Sequence, residues 1–215
     1  GVQDIAALTL PEEDATAEQS ERVIDVDRTL NFRTFTAHNS GVVVEWDAET
    51  TEPIQTFDAH NSSVNSLDVW ASDFSSSIWM ASGDQSGRVI LWDLETGEIV
   101  REFEGHTGAV NSVDFRSDGQ RIVTASDDGN AFVWNTQTGD VIRTINTATN
   151  SQINGATYSP DGNNILIISD DAMRLIGASS EQFLEFGVDS NGLIIEGEET
   201  NRIRSAKFSS DGSFI

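Results

Sequence analysis

A segment of about 42 to 50 residues recurs along this chain, and the recurrence limits the fold more than any other feature. Trp46, Trp92 and Trp134 are 46 and 42 residues apart, and each ends a short run rich in β-branched or aromatic residues. Residues 64–69 (VNSLDV) return as residues 110–115 (VNSVDF). Looser versions of the same run begin at Ile153 and Ile203, so the repeat extends over most of the chain.

Turn signals separate the short runs at intervals of about 8 to 12 residues, which predicts an all-β protein. The pairs Asp118-Gly119, Asp161-Gly162 and Asp211-Gly212 suit tight hairpins, because Gly accepts a positive φ and Asp bonds its own backbone. The chain has only 3 prolines and no long stretch of helical period. A period of this length, with four short strands in each unit, is typical of a β-propeller blade.

Specific motifs narrow the fold further. Gly105-His106, Trp46-Asp47, Trp92-Asp93 and residues 126–129 (SDDG) fall where a WD40 repeat carries its characteristic residues, so the chain resembles the WD40 repeat family. Residues 105–145 match best, and residues 58–104 match well apart from an insertion at 72–77. Residues 146–200 keep the Asp-Gly turn but lose both Gly-His and Trp-Asp.

This resemblance implies an all-β, WD40-type β-propeller built from four-stranded antiparallel blades. We expect about four and a half blades, at residues 22–57, 63–103, 109–145, 153–195 and, in part, 202–215. Residues 1–21 contain acidic residues and no basic one, which predicts an extended acidic leader. Because propellers close with roughly four to eight blades, we expect missing sequence or another chain to complete the ring.

Four polar or aromatic residues of the best-matching repeat invite a comparison with a hydrolytic triad. Ser, His and Asp can perform acyl transfer, but the resemblance implies that His106, Ser126, Asp128 and Trp134 form a buried structural chain of hydrogen bonds. In that chain the His bonds the Ser and the Asp, and the Ser reaches the indole of the Trp. Since buried polar groups must be paired, such a chain fixes the shape of the blade.

The neighbouring repeat departs from this pattern. His60 and Trp92 keep their places, but Asp84 falls where Ser126 lies in the next repeat and Ser86 falls where Asp128 lies. Either the network closes with Ser and Asp exchanged, or it is weakened. The first repeat has His38 and Ser40 at these two positions, and the fourth has no Trp.

The same resemblance implies that the chain is a non-enzymatic scaffold or complex subunit that binds other proteins through loops on one propeller face. Loops held on a rigid scaffold commonly carry binding. The residues that we expect on this partner-binding face are small and polar: Asn61, Ser63, Asn65, Gln85, Thr107, Asn111 and Asp127.

Charge limits the class of partner. The chain has 36 acidic and 12 basic residues and a formal net charge of −24. This balance argues against nucleic acid, because phosphate binding depends on clustered Lys and Arg. We expect no membrane insertion, since no apolar run approaches the roughly 20 residues that a span needs. Cysteine is absent, and no spacing predicts a catalytic residue, a cofactor or a metal site.

Two other functions remain open from the sequence. One is a propeller enzyme with a site at the central channel, which would need titratable groups or a metal converging there. The other is a carbohydrate- or surface-binding module, which exposed Trp70 and Trp79 would favour. The acidic composition, with Lys207 as the single lysine, fits a bacterial extracytoplasmic protein or a cytosolic protein of a halophile.

Overall fold

The structure is a computed structural model that describes residues 23–30, 33–72, 77–146, 151–170, 172–178, 183–188, 194–195 and 208. The predicted leader, the predicted partial blade apart from Phe208 and the centre of the insertion lie outside the described residues.

The described part of the chain is built from seventeen strands and contains no helix. Most strands are five to eight residues long and are rich in Val, Ile, Thr and aromatic residues, which pack well on a pleated surface. Their bounds are Val23–Leu30 (β1), Arg33–His38 (β2), Val42–Asp47 (β3), Pro53–Asp58 (β4), Val64–Ala71 (β5), Ile78–Asp84 (β6), Val89–Asp93 (β7), Ile99–Phe103 (β8), Val110–Phe115 (β9), Arg121–Ser126 (β10), Asn130–Asn135 (β11), Val141–Asn146 (β12), Ile153–Tyr158 (β13), Asn164–Ser169 (β14), Met173–Gly177 (β15), Phe183–Val188 (β16) and Ile194–Ile195 (β17).

The strands form four antiparallel sheets in which each strand pairs with its neighbour in sequence. The first three sheets have the orders β1-β2-β3-β4, β5-β6-β7-β8 and β9-β10-β11-β12. The fourth runs from β13 to β17, where β17 adds a fifth strand with only two paired residues. The prediction of an all-β fold of WD40-type blades is confirmed. No helix in the part of the chain described here is long and apolar enough to cross a membrane.

The sheets stack face to face. The strands β1, β5, β9 and β13 form one edge of each sheet and contact one another, whereas β4, β8 and β12 form the outer edges. Apolar side chains fill the space between consecutive sheets: Phe35 and Phe57 of the first sheet share a core with Met80 and Trp92 of the second. The other face of the second sheet shares a core with Trp134 of the third in the same way.

The repeated run on the inner strands connects consecutive sheets by hydrogen bonds. The carboxylate of Asp68 accepts a hydrogen bond from the backbone N–H of Phe115 at 2.5 Å. One repeat later, Asp114 accepts from the backbone N–H of Tyr158 at 2.7 Å. The hydroxyl of Ser66 likewise accepts from the N–H of Val113 at 3.1 Å. The polar residues of this run therefore hold each inner strand against the next.

The turns that precede the outer strands share one conformation. In each, the last residue of the preceding strand accepts two backbone N–H bonds; Asp47, for example, accepts from residues 49 and 50 at 2.8 and 2.9 Å. The fourth residue after it has a positive φ, which is 73° at Gly97 and 82° at Gly139. Thr51 occupies this position in the first sheet with a φ of 61°. A β-branched residue is strained in this conformation, so the first sheet carries a local cost that the next two avoid.

Candidate functional site

The third sheet contains a buried chain of hydrogen bonds around His106. Its Nδ1 lies 2.9 Å from an oxygen of Asp128, and its Nε2 lies 2.7 Å from the hydroxyl of Thr124. The indole N–H of Trp134 donates to the same hydroxyl at 2.8 Å. The assignment of Ser126 to this hydroxyl was wrong: the Ser126 hydroxyl instead accepts the backbone N–H of Asp128 at 3.1 Å.

Strand pairing explains why Thr124 supplies the hydroxyl. Trp134 pairs with Ile122, so Thr124, two residues further along β10, lies diagonally opposite the indole on the same face of the sheet. Ser126 lies at the end of β10, where its hydroxyl meets the backbone of the following turn. A spacing would have revealed this from sequence, since a hydroxyl residue occurs ten positions before all three repeated tryptophans: Thr36, Ser82 and Thr124.

The second sheet closes the same network with a different carboxylate position. His60 Nδ1 lies 2.8 Å from Asp84, and its Nε2 lies 2.7 Å from Ser82. Trp92 donates its indole N–H to Ser82 at 2.9 Å. Counting along the sequence placed Asp84 at the position of the strand hydroxyl. In the structure Asp84 provides the carboxylate of the network, and Ser82 provides the hydroxyl. Ser86 supports the carboxylate by donating its hydroxyl to Asp84 at 2.7 Å.

The first sheet builds a shorter version of the network. Trp46 donates to the hydroxyl of Thr36 at 2.8 Å, and this hydroxyl lies 2.7 Å from Nε2 of His38. The imidazole thus comes from the strand position that Asp84 occupies one repeat later. His38 had been aligned with the strand hydroxyl, but Thr36 has that role, again because it lies diagonally opposite the Trp.

In the fourth sheet the polar pair is replaced by an apolar one. Ile176 occupies the Trp position, and Ile167 occupies the position of the hydroxyl; both are buried in the core shared with the third sheet. Because the indole and the hydroxyl are absent together, neither group is left without a partner.

One arrangement of hydrogens satisfies the third-sheet network. The Thr124 hydroxyl accepts from Trp134 and donates to Nε2 of a neutral His106, whose Nδ1–H donates to Asp128. Burial lowers the pKa of His106 more than the Asp128 carboxylate raises it. Burial also raises the pKa of Asp128, but hydrogen bonds from the Thr107 amide and from His106 outweigh this effect, so the pKa of that carboxyl is lowered. The network therefore consists of a neutral imidazole and an ionised carboxylate.

This arrangement serves structure better than acyl transfer. Both ring nitrogens of His106 face partners inside the blade, and the hydroxyl of Ser126 is directed at the backbone of Asp128 instead of at the imidazole. The hydroxyl that does face Nε2 of His106 belongs to Thr124, which is fully buried and also accepts the indole N–H of Trp134, so it is not accessible to a substrate as a triad nucleophile must be. Within the ranges that the structure describes, no group of three or more His, Cys, Asp or Glu is placed to hold a metal ion.

The predicted partner-binding residues lie at one end of the sheets, which we call the loop face. It comprises the loops at residues 59–63 and 104–109, the turns at 85–88 and 127–129, and the adjoining starts of β5 and β9. The backbone N–H of Gln85 donates to the carbonyl of Ser63 at 2.9 Å, which joins a loop to a turn in the second sheet. The third sheet repeats this bond, from Asp127 to Ala109 at 3.0 Å.

The loop-face residues differ in what their side chains do. Asn61, Gln85 and Thr107 are exposed. Asn111 donates its amide to Asp127 at 2.7 Å and to the carbonyl of Ile153 at 3.0 Å, so it joins the third sheet to the fourth.

Asn65 also links two sheets, because its amide donates to the carbonyl of Val110 at 3.2 Å. Asn65, Asn111, Asp127 and Ser63 are half-buried. Of the seven predicted residues, the three exposed ones offer the most side-chain surface to a partner.

The aromatic pair beside the insertion lies at the end of the sheets away from the loop face. The rings of Trp70 and Trp79 are 5.4 Å apart, and both side chains are half-buried. The indole of Trp70 donates to the carbonyl of Ser117 at 3.0 Å, and a Cβ on Gly119 would lie 2.4 Å from its ring. Trp70 thus packs on the turn of the next sheet, and glycine is the residue that allows this close approach.

Two buried polar residues escaped the sequence reasoning. The Glu45 side chain is fully buried between the first two sheets, at the position of Leu91 in the next repeat, and its carboxylate lies 2.7 Å from Nε of Arg33. Burial raises the pKa of Glu45, and Arg33 partly offsets this effect. The hydroxyl of Tyr158 is buried and has no hydrogen-bond partner among the residues that the structure describes, and burial raises its pKa to about 12. Glu45 and Tyr158 are buried only because their sheets stack against neighbouring sheets.

Comparison with known families supports the repeat assignment. The family model described as "WD domain, G-beta repeat" (WD40) matches residues 51–93 and 97–135. The two matched segments contain the outer strand β4, all of the second sheet and the third sheet up to β11. No curated protein matches the chain.

Proposed function

We propose that this WD40-repeat chain is a non-enzymatic scaffold, or a subunit of a larger assembly, that binds another protein through its loop face. WD40 repeats are in general protein-interaction modules. Here a rigid stack of sheets carries several loops at one end, which is the arrangement that most often supports binding.

The observation that carries this proposal is the way the loops are held. His60 and His106 each lie in a loop and are anchored to a buried strand hydroxyl and to a carboxylate at the neighbouring turn. The exposed Asn61 and Thr107 directly follow these anchored imidazoles, and Gln85 directly follows the carboxylate residue Asp84. A partner would therefore meet loops whose backbone is already fixed, so binding would order little more than the exposed side chains themselves.

The net charge limits the kind of partner that the chain can bind. With a formal net charge of −24 the chain repels other acidic molecules, which favours a partner with a basic or neutral surface. If charge steers the encounter, the association rate falls as salt is added, because screening shortens the range of the attraction. An association rate independent of salt would contradict this part of the proposal.

The experiment compares proteins recovered from the native source by two variants of equal charge. The triple variant Asn61→Lys, Gln85→Lys, Thr107→Lys places cations on the loop face and should lose a basic or neutral partner. The control carries three lysines at exposed residues outside the loop face: Thr56→Lys, Gln120→Lys and Thr144→Lys.

Both variants change the net charge by the same amount, so the comparison isolates position from charge. A partner recovered by the wild type and the control, but not by the loop-face variant, supports the proposal. Equal recovery by all three proteins, or equal loss from both variants, contradicts it.

The proposal includes completion of the ring by further blades, from the same polypeptide or from another chain. The face of the first sheet that carries Trp46 corresponds to the faces that pack on a preceding sheet in the second and third repeats. Trp92 and Trp134 are 3 % and 1 % exposed, whereas Trp46 is only half-buried. The intact mass of the native particle tests this, because a monomer with too few blades to close would contradict ring completion.

A further inference from the structure

The exposed large apolar side chains of the described residues all occur at one place in the repeat. They are 40–47 % exposed and lie within the first two residues of the three outer strands: Ile54, Ile99, Val100, Val141 and Ile142. We call this set the rim stripe. It lies at the ends of β4, β8 and β12 that are remote from the loop face.

A β-bulge places one member of the stripe outside the strand pairing in each sheet. In the first sheet Glu45 pairs with Gln55 and Trp46 pairs with Pro53, so Ile54 is the extra residue. Val100 and Ile142 are the extra residues at the corresponding shifts of the second and third sheets. A bulge disturbs the ladder of an edge strand and so hinders the addition of another strand there.

Contacts between sheets bring these positions next to one another. The amide of Gln55, which follows Ile54, lies so close to Gly97 that a Cβ there would be 1.9 Å from its nitrogen. Arg101, which follows Val100, donates to the carbonyl of Thr138 at 3.1 Å, three residues before Val141. The outer strands of the first and second sheets thus contact the turn that leads into the next outer strand, so the apolar positions of the three sheets follow one another as a row along the same rim.

The row has an acidic border. Glu52, Glu98 and Asp140 are exposed, and each directly precedes the outer strand that carries the stripe. The Arg101 guanidinium lies against carbonyl oxygens of the next sheet, including that of Gln137 at 2.6 Å, and is half-buried. The exposed ionisable groups beside the stripe are therefore carboxylates.

We propose that the rim stripe is a second docking surface, which takes a basic amphipathic helix of a partner protein. Such a helix presents one apolar stripe to the row, with Lys and Arg on its flanks for the carboxylates. The bulges disfavour an added strand. A second copy of this chain would bring two acidic borders together, which like-charge repulsion opposes. This surface is separate from the loop face and does not depend on the function proposed for it.

The test uses the whole chain and a synthetic amphipathic helical peptide of about 18 residues, made of Leu and Lys. A scrambled peptide of the same composition, without an apolar face, controls for attraction to the net charge. We expect the amphipathic peptide to bind the wild type at least tenfold more tightly than the scrambled one, by fluorescence anisotropy.

Protein variants test the contribution of the apolar row and that of its acidic border separately. The variant Val100→Thr, Ile142→Thr should bind the amphipathic peptide about tenfold more weakly, since two exposed branched side chains lose apolar contact. The variant Glu52→Gln, Glu98→Gln should also weaken binding. Its matched control is Asp58→Asn, Asp118→Asn, which removes two exposed carboxylates outside both the rim stripe and the loop face and should bind like the wild type.

Three outcomes would overturn the proposal. They are equal binding of the two peptides, equal effects of the two charge-neutralising variants, and wild-type binding by the Val100→Thr, Ile142→Thr variant. A chain that is dimeric at high salt and becomes monomeric in this last variant would assign the row to a second copy instead. The charge variants leave every apolar contact in place. They therefore still test whether the peptide binds at the rim stripe if the threonine variant folds poorly.

Discussion

Replacing Thr124 with Val tests the assignment of the buried network most directly. Val has nearly the same shape, so packing is retained while the hydroxyl is lost. The indole N–H of Trp134 and Nε2 of His106, at 2.8 and 2.7 Å from that hydroxyl, then have no partner. Trp134 is only 1 % exposed, so water cannot replace the bond easily. A buried unsatisfied group costs about 1–3 kcal/mol, and the two together should lower the free energy of unfolding by about 2–4 kcal/mol.

Ser126→Ala is the matched control, because sequence counting assigned the network hydroxyl to this residue. Ser126 is also buried, but its side-chain bond is to the backbone N–H of Asp128 at 3.1 Å. Its loss should lower the free energy of unfolding by about 1 kcal/mol, the usual value for one neutral hydrogen bond.

Urea unfolding followed by tryptophan fluorescence measures both variants on one scale. Since domains are stable by only about 5–15 kcal/mol, the Thr124→Val variant should show a clearly lower midpoint. A Ser126→Ala variant that loses as much stability as Thr124→Val, or more, would refute the network described here.

Four further predictions follow from single sites. Thr51→Gly should raise the free energy of unfolding by about 0.5–1 kcal/mol in urea unfolding, because it relieves a β-branched residue at a φ of 61°. Glu45→Leu should raise the melting temperature, since it replaces a buried carboxylate with the residue found one repeat later and leaves Arg33 partly in water. Tyr158→Phe should be at least as stable as the wild type at pH 7. Between about pH 10 and 12 the free energy of unfolding of the wild type should fall by about 2–3 kcal/mol, because Tyr158 deprotonates first in the unfolded state. The Phe variant should not show this decrease. Because the pKa of His106 is lowered, the unfolded state binds its proton first, so the melting temperature should fall as the pH drops below about 6.5. His106→Gln should flatten this slope.

The network and the loop face are connected through the chain. Thr107 donates its backbone N–H to Asp128 at 2.9 Å, so the loop that carries an exposed candidate side chain is fixed by the same carboxylate that orients His106. We therefore expect damage to the network to weaken partner binding through loop disorder, even though its members are buried.

Much of the fold could be predicted from the sequence, because it depends on local sequence patterns. Strand length, β-branched content and Asp-Gly turns depend on neighbouring residues, and stacking of like units reproduces the same environment in each repeat. The all-β architecture and the repeat therefore followed from these patterns. The resemblance to the WD40 family, carried by the Gly-His, Trp-Asp and SDDG motifs, implied the residue types of the network, His with a carboxylate and a Trp.

The position of each atom within the network was decided by tertiary structure. Thr124 and Ser126 are both hydroxyl residues on β10; the ten-residue spacing to Trp134 favours the first, and the pairing of Trp134 with Ile122 gives the physical reason. Asp84 and Asp128 occupy different positions relative to their tryptophans, yet both reach the Nδ1 atom of a loop histidine. A hydrogen bond requires about 2.7–3.2 Å between heavy atoms, and residue spacing does not specify distances on that scale.

The sequence by itself determined the repeated β-sheet units, their hairpin turns and the acidic character of the surface, because these depend on local conformational preference and on composition. The stacking of the sheets decided which polar groups are buried and what they meet. It placed Glu45 and the hydroxyl of Tyr158 in the interior, Trp70 on the turn of the next sheet, and the rim stripe in solvent. Burial is a property of surfaces in contact, and such contacts join residues some 40 positions apart, so no local pattern contains them.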